Sequence, residues 1–211
     1  MPAQLVSRSE GNEGLPVLVW RLGGPCLSAS TAAVGGGLGI REWVVNAQVH
    51  HDYRRLDIHH HLRQVAESLG LLGAGVGMLT AASVAELTSC SEGGVVVDAT
   101  VGMTHPTWAA SHEDSDGDDA RTGTINIVAS LPVRLEDGAL LNAMTTATEA
   151  KAQALSEAGY RATGTPSDAV TILCALEGDA ERFGGPRSEW GAPLARAVYS
   201  AVLAGARWED R

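Results

Sequence analysis

Lysine is almost absent from this chain of 211 residues: only one of its 15 basic residues is a lysine, Lys151. Acidic residues number 25, which gives a formal net charge of −10. Nucleic-acid binders need clustered basic side chains to neutralise phosphates, and no run of lysine and arginine with interleaved aromatics occurs here. We therefore expect a protein that does not bind nucleic acid.

Cysteines and long apolar runs are also scarce. Cys26, Cys90 and Cys174 are odd in number and lack a CxxC spacing, which indicates free thiols in a reducing compartment. The first residues have neither the basic nor the apolar region of a signal peptide, and no apolar run approaches the length of a membrane span. The sequence predicts a cytoplasmic protein that does not insert into a membrane.

The rest of the sequence is rich in aliphatic residues, which recur in short periodic segments. Its length suits one domain, which we place at residues 1–211. Apolar runs at 15–22, 26–30 and 42–49 predict strands, and CSEGG between SVAELTS and VVVDATVGM predicts a β-hairpin. TGTINIVA and AVTILCAL predict two further strands, whereas the glycine-rich stretch 73–81 has no clear pattern.

Three segments have the spacing of amphipathic helices. One follows Asp57 as its N-cap and ends at Gly70, one spans 136–158, and one spans 193–204. Hairpin strands mixed with a few helices predict an α+β fold, a layered sandwich of mixed, mostly antiparallel sheet covered by helices. The polar, acidic residues 109–121 predict a mobile surface loop.

Lys151 occupies an unusual place in the second of these helices. At 100° per residue, the buried stripe passes through Leu140, Met144, Ala147 and Leu155, and Lys151 falls near its middle. Two interpretations stay open. The side chain could extend past its neighbours to water, or its ammonium could reach into a cleft and meet a partner from another element.

Three successive segments carry a family resemblance: GTINI at 123–127, LLNAMTTATEAKAQAL at 140–155 and TGTPSDAV at 163–170. Looser matches such as SASTAAVGGGLG, GMLTA and DATVGM keep the same order along the chain. On these segments the sequence resembles the adenosylcobinamide amidohydrolase (CbiZ-type) family, from about residue 28 to 205.

This resemblance implies a hydrolase that cleaves the amide between the corrin propionate side chain and aminopropanol in adenosylcobinamide. The products would be adenosylcobyric acid and aminopropanol, a step of cobinamide salvage into cobalamin synthesis. The implied partner is a small-molecule corrinoid. No cofactor is implied, because cobalt enters only as part of the substrate, and the sequence leaves open whether the chain forms a homo-oligomer.

Amide hydrolysis needs a nucleophile, a proton for the leaving amine and a donor for the oxyanion. We predict catalytic roles for Lys151, Asp168 and Glu149, which would act on a water or hydroxyl nucleophile that the sequence does not identify. Hydroxyl and amide side chains on separate elements are predicted to bind the substrate: Ser30, Asn46, Thr100, Asn126, Thr148 and Thr165.

Histidines are crowded between residues 50 and 61, but their positions do not favour a metal site. His59, His60 and His61 are consecutive on a predicted helix, so their side chains fan out and cannot bind one ion together. We predict half-exposed surface histidines and no metal. Two alternatives to the amidohydrolase remain: a non-catalytic corrinoid-binding or carrier protein, and a metal-dependent hydrolase of another amide.

Overall fold

The periodic segments of the chain form ten strands and three helices in the computed structural model, which describes residues 2–10, 13–111 and 123–208. The strands are β1 Gln4–Glu10, β2 Glu13–Ser30, β3 Gly37–Gln48, β4 Gly75–Thr80, β5 Thr88–Glu92, β6 Val95–Val101, β7 Ile125–Ser130, β8 Arg134–Leu135, β9 Ala169–Cys174 and β10 Ala180–Glu181. The helices are α1 Ile58–Ser68, α2 Asp137–Glu157 and α3 Gly191–Trp208.

Eight of these strands form one mixed sheet in the order β4-β3-β2-β9-β7-β6-β5, with β1 beside β2. The β3/β4 and β7/β9 pairs are parallel, and the other pairs in this sheet are antiparallel. The predicted α+β class, a mixed and mostly antiparallel sheet covered by helices, is confirmed. Strands β8 and β10 form a separate small parallel pair.

The long strand β2 belongs to two layers. Its register with β3 shifts between Arg21 and Cys26, and this irregularity bends the sheet. The first part of β2 pairs with β1, and the part after Cys26 pairs with β9. The sheet therefore folds over so that β1, β3, β4 and the first part of β2 face the layer of β9, β7 and β6.

Side-chain alternation along β2 supports this layering. Val17 and Val19 pack in the apolar cluster that includes α1, whereas Leu18 and Trp20 pack in a cluster shared with Val128 of β7. The opposite face of β7 and β9 packs against α2 and α3. The molecule thus has four layers. Helix α1 is followed by the layer of β1, β3, β4 and the first part of β2, then by the layer of β9, β7 and β6, and finally by the pair α2 and α3.

Helix α2 follows the sequence prediction closely. Glu136 occupies the N-cap position, and Gly159, with φ of 93°, lies just past the last turn in a conformation that favours glycine. The predicted stripe is on the buried face, although Met144 is only half-buried. Lys151 is among its buried residues, which confirms the position predicted for it.

Helix α1 begins after Asp57, but the carboxylate of Asp57 does not cap it. It accepts two hydrogen bonds from Arg55, at 2.9 and 2.6 Å. These bonds lower the pKa of Asp57 to about 2. Gly70, with φ of 63°, lies beyond the last turn as predicted.

The structure differs from the sequence prediction at several elements. The unassigned stretch 73–81 contains β4, where a Cβ on Gly75 would collide with the ring of Trp43, so this glycine serves close packing. The runs 15–22 and 26–30 belong to one strand, and α3 is longer at both ends than predicted. The hairpin of β5 and β6 is confirmed, but its first strand starts only at Thr88.

Residues 112–121 of the predicted acidic loop 109–121 lie outside the described residues. Within the described part of the chain, no helix is both long enough and apolar enough to cross a membrane.

Candidate active site

Lys151 does not extend to water. Its ammonium forms an ion pair and hydrogen bond with Oδ2 of Asp168, and the two side chains are only 7% and 10% exposed. Asp168 lies immediately before β9, at the end of a turn that begins near Thr163. Of the two interpretations of Lys151, the structure supports the one in which the ammonium meets a partner from another element.

The carboxylate of Asp168 is fully engaged. Besides Lys151, its oxygens accept hydrogen bonds from the backbone N–H of Ile125 at 2.9 Å and of Thr165 at 3.1 Å, and from the hydroxyl of Thr165. A carboxylate has about four lone-pair sites, so these four donors leave none free for the proton of a water. Asp168 therefore fixes Lys151 in place.

The turn TGTPSD fits closely around this ion pair. A Cβ on Gly164 would collide with both Nζ of Lys151 and Oδ2 of Asp168. The turn is also tied to the segment before residue 111, because the N–H of Thr107 donates to the carbonyl of Gly164 at 2.8 Å. Lys151, Asp168 and Thr165, three of the predicted site residues, are thus brought together.

Four other predicted site residues lie between the two strand layers. The amide of Asn126 donates to Oδ1 of Asn46 at 2.8 Å, and the amide of Asn46 donates to the hydroxyl of Thr100 at 2.9 Å. Ser30 shares a hydrogen bond of 2.8 Å with Thr171. All of these side chains are buried, so the described part of the polar face of TGTINIVA, at Thr124 and Asn126, is internal.

The buried amide of Asn126 has no proton left to donate. Nδ2 of Asn126 also donates to the carbonyl of Leu79 at 3.0 Å, so both of its protons are used within the protein. Its Oδ1 is buried and has no hydrogen-bond partner among the described residues. Asn126 is therefore better placed to accept a hydrogen bond than to donate one to an oxyanion.

Glu149 and Thr148 lie apart from these groups. Both residues are exposed on α2, while Lys151 is on its buried face. The hydroxyl of Thr148 donates to the carbonyl of Met144, one turn earlier, at 3.0 Å. The structure does not bring Glu149 or Thr148 to Asp168.

A cleft of 220 Å³ opens beside the turn that carries Asp168. Thr80 ends β4, and Thr124 and Ser167 precede β7 and β9, so the cleft lies where these strand ends meet. The hydroxyls of Thr124 and Ser167 are 2.7 Å apart. Ser167 lines the cleft while its neighbour Asp168 binds Lys151, so one short segment joins the cleft to the ion pair.

The opposite wall of the cleft includes His50, His51 and Tyr53. The hydroxyl of Tyr53 lies 2.7 Å from Nδ1 of His61, and Nε2 of His61 lies 3.4 Å from Oε1 of Glu10. His61 is buried, so the prediction that the histidines are half-exposed is wrong for this residue. The sequence did contain a signal for this burial, because the spacing of His61 from Leu62 and Val65 places it on the apolar face of α1.

Burial sets the resting protonation of several groups. It lowers the pKa of His61 and raises that of Tyr53, which favours a neutral imidazole beside a protonated phenol. It also raises the pKa of Cys26 and Cys174, so these thiols stay protonated and are weak nucleophiles. Within residues 2–10, 13–111 and 123–208, no group of three or more His, Cys, Asp or Glu could hold a metal ion.

Comparison with known proteins identifies the class to which this chain belongs. The family model of adenosylcobinamide amidohydrolase matches residues 2–211. The protein is therefore an amidohydrolase, an enzyme of the class that cleaves linear amides. It belongs to the adenosylcobinamide amidohydrolase family, which confirms the resemblance seen in the sequence.

Two curated relatives carry the same description. The adenosylcobinamide amidohydrolase of Methanosarcina mazei is 29% identical over 186 residues, which cover 84% of this chain and 88% of the relative. That of Halobacterium salinarum is 40% identical over 119 residues, which cover 53% of this chain and 50% of the relative. Among solved structures, the PH0078 protein from Pyrococcus horikoshii OT3 is similar with a TM-score of 0.47 at 12% identity, over 97% of this chain and 81% of that chain.

Proposed function

We propose that this enzyme hydrolyses the amide that joins the corrin propionate side chain to aminopropanol in adenosylcobinamide. The products are adenosylcobyric acid and aminopropanol, and the reaction returns incomplete corrinoids to cobalamin synthesis. The observation that carries this proposal is the family match along residues 2–211, which includes the segment with Lys151 and the turn with Asp168. Cytoplasmic salvage of cobinamide fits the three free cysteines.

In this proposal Lys151 stabilises the negative charge that develops on the amide oxygen. An ammonium has three N–H donors, and Asp168 takes one of them. Because the ion pair and the close fit of Gly164 hold the ammonium in place, little reorganisation is needed when charge develops. Asp168 and Thr165 act as positioning residues.

The buried polar residues have a different role. Asn46, Asn126 and Thr100 tie the two strand layers together beside the cleft. Oδ1 of Asn126, which has no hydrogen-bond partner in the part of the chain that the structure describes, can accept a hydrogen bond from a water or from an N–H group that enters the layer. The cleft itself receives the aminopropanol end of the substrate, and the larger corrin ring lies outside it, because 220 Å³ is too small for the ring.

The proposed partner is therefore a small corrinoid, and the enzyme uses no resident metal or cofactor. The net charge of −10 disfavours nucleic acid as a partner.

Incubation of the purified protein with adenosylcobinamide tests the proposal. Mass spectrometry should detect adenosylcobyric acid and free aminopropanol in equal amounts, while adenosylcobyric acid offered as the starting compound should stay unchanged. Heat-denatured protein is the control. Tight corrinoid binding with no cleavage over hours would contradict the proposal and support a carrier protein.

A further inference from the structure

The proposed hydrolysis needs a group that takes a proton from the attacking water, and the ion pair at Lys151 does not provide one. The carboxylate of Asp168 already accepts four hydrogen bonds. Glu149 is exposed on the far side of α2. The base must therefore come from another element that reaches the cleft.

Tyr53, His61 and Glu10 form a continuous chain of polar groups that starts at the cleft. Tyr53 lines the cleft, and its hydroxyl lies 2.7 Å from Nδ1 of His61. Nε2 of His61 lies 3.4 Å from the carboxylate of Glu10. The Tyr53 and His61 rings are stacked, with centroids 5.5 Å apart and an interplanar angle of 22°, which fixes their relative orientation.

The far end of this chain is anchored within the protein. Glu10 pairs with Arg8, a buried residue that also donates to the carbonyl of Gln48 at 2.7 Å. With a carboxylate beside Nε2, the proton of a neutral His61 belongs on Nε2, and Nδ1 is then free to accept from the phenol. A carboxylate, an imidazole and a hydroxyl in this order have the roles of the three members of a hydrolytic triad.

We propose that Tyr53 is a catalytic residue that takes the proton of the hydrolytic water and passes its own proton to His61, with Glu10 as the positioning carboxylate. This inference rests on the proposed function, since it supplies the base for the same amide hydrolysis.

The proton balance of the step is complete. As the water oxygen bonds to the amide carbon, the water proton moves to the Tyr53 oxygen and the phenol proton moves to Nδ1 of His61. Glu10 stabilises the resulting imidazolium, and Lys151 stabilises the negative oxygen of the tetrahedral intermediate. When the C–N bond breaks, the proton returns through Tyr53 to the leaving amine nitrogen, and His61 is neutral again.

Two substitutions separate this role from a merely structural one. Tyr53→Phe keeps the stacked ring but removes the hydroxyl, and we expect kcat to fall about 100-fold or more, with KM within about threefold, the size of effect general acid–base catalysis gives. His61→Asn keeps an acceptor near the position of Nδ1 but cannot hold the proton, so it should lower kcat to a similar extent.

Matched control variants are available in the same chain. His60→Asn changes the exposed neighbour on the same helix, and Tyr199→Phe removes a phenol on α3, so both should keep the wild-type kcat. If the folded Tyr53→Phe and His61→Asn enzymes turn over adenosylcobinamide within about twofold of wild type, the inference is overturned. The proposed function would stand in that case, because the wild-type enzyme still cleaves the amide.

A measurement on the wild-type protein tests the relay without any variant or turnover. ¹⁵N NMR of His61 at pH 8 should show a neutral ring with the proton on Nε2 and an unprotonated, hydrogen-bonded Nδ1. A proton on Nδ1 would overturn the relay even if every variant misfolded. Failure of the wild-type enzyme to cleave adenosylcobinamide would contradict the proposed function instead, so the two failures are distinguishable.

Discussion

Replacement of Lys151 by methionine removes the ammonium but keeps most of the stem volume. If Lys151 were only a member of the apolar stripe of α2, this change would remove a desolvated charge and leave the protein as stable as before or more stable. The structure predicts the opposite. Asp168 would lose its only cationic partner among the described residues while remaining 10% exposed.

The expected cost follows from what Asp168 retains. Removal of one member of a buried ion pair destabilises proteins by about 3–5 kcal/mol, because a buried charge is left without compensation. Asp168 keeps three hydrogen bonds from Ile125 and Thr165, so we expect the lower end, about 3 kcal/mol. For a chain of this length, about 2–4 °C per kcal/mol corresponds to a loss of about 6–12 °C in Tm.

Turnover should fall by a factor that this loss of stability does not explain. At a temperature where Lys151→Met is still folded, we expect kcat for adenosylcobinamide at least about 100-fold below wild type, as when an oxyanion donor is removed. Thermal melts and mass-spectrometric rates are measured on the same preparations. Lys151→Arg is the matched control for charge, and it should also fail, because the turn at Gly164 leaves no room for a guanidinium.

A double-mutant cycle identifies the source of the effect. Asp168→Asn should destabilise the wild-type protein more than it destabilises Lys151→Met, because the two groups interact directly. Additive effects together with near wild-type turnover in Lys151→Met would refute the reasoning, and Lys151 would then be only a packing residue.

Three further predictions concern other parts of the molecule. EDTA dialysis should leave activity unchanged, and a loss that zinc restores would support a metal-dependent hydrolase instead. Replacement of 112–119 by a short Gly/Ser linker should preserve Tm and activity, because closure entropy changes slowly with loop length; loss of activity in a folded protein would indicate a lid. Burial lowers the pKa of His61 from its ordinary 6.5. As the pH falls below 6.5, the unfolded chain therefore binds a proton at this residue before the folded protein does, and the folded protein loses stability. Melts of wild type and His61→Asn should diverge below pH 6.5; parallel curves would contradict this.

Local patterns explain why some of these features are predictable from the sequence. Helix α2 and the buried position of Lys151 follow from the 3.6-residue period and the glycine at 159, all within one segment. His61 is on the same kind of apolar stripe of its helix. A run of three histidines suggests a polar surface, however, and for this reason its burial was not predicted. Its partners Tyr53 and Glu10 are on other segments, so no local spacing identifies the relay.

The meeting of the buried amides depends on long-range structure. Asn46 and Asn126 are 80 positions apart, and they touch because the sheet folds over at the irregularity in β2. A register shift of this kind has no reliable sequence signal. The sequence predicts Lys151 and Asp168 as two charged site residues, but it does not predict that they form an ion pair. Their contact depends on the turn before β9, which is held in place by its own backbone contacts.

The single lysine also allows access to the site to be measured by chemical labelling. Lys151 carries the only side-chain primary amine, and this amine is shielded by α2 and by the turn around Gly164. The side chain is only 7% exposed and its ammonium is held by Asp168, so the rate at which an amine-reactive reagent modifies this one atom reports how accessible the site is in otherwise native protein.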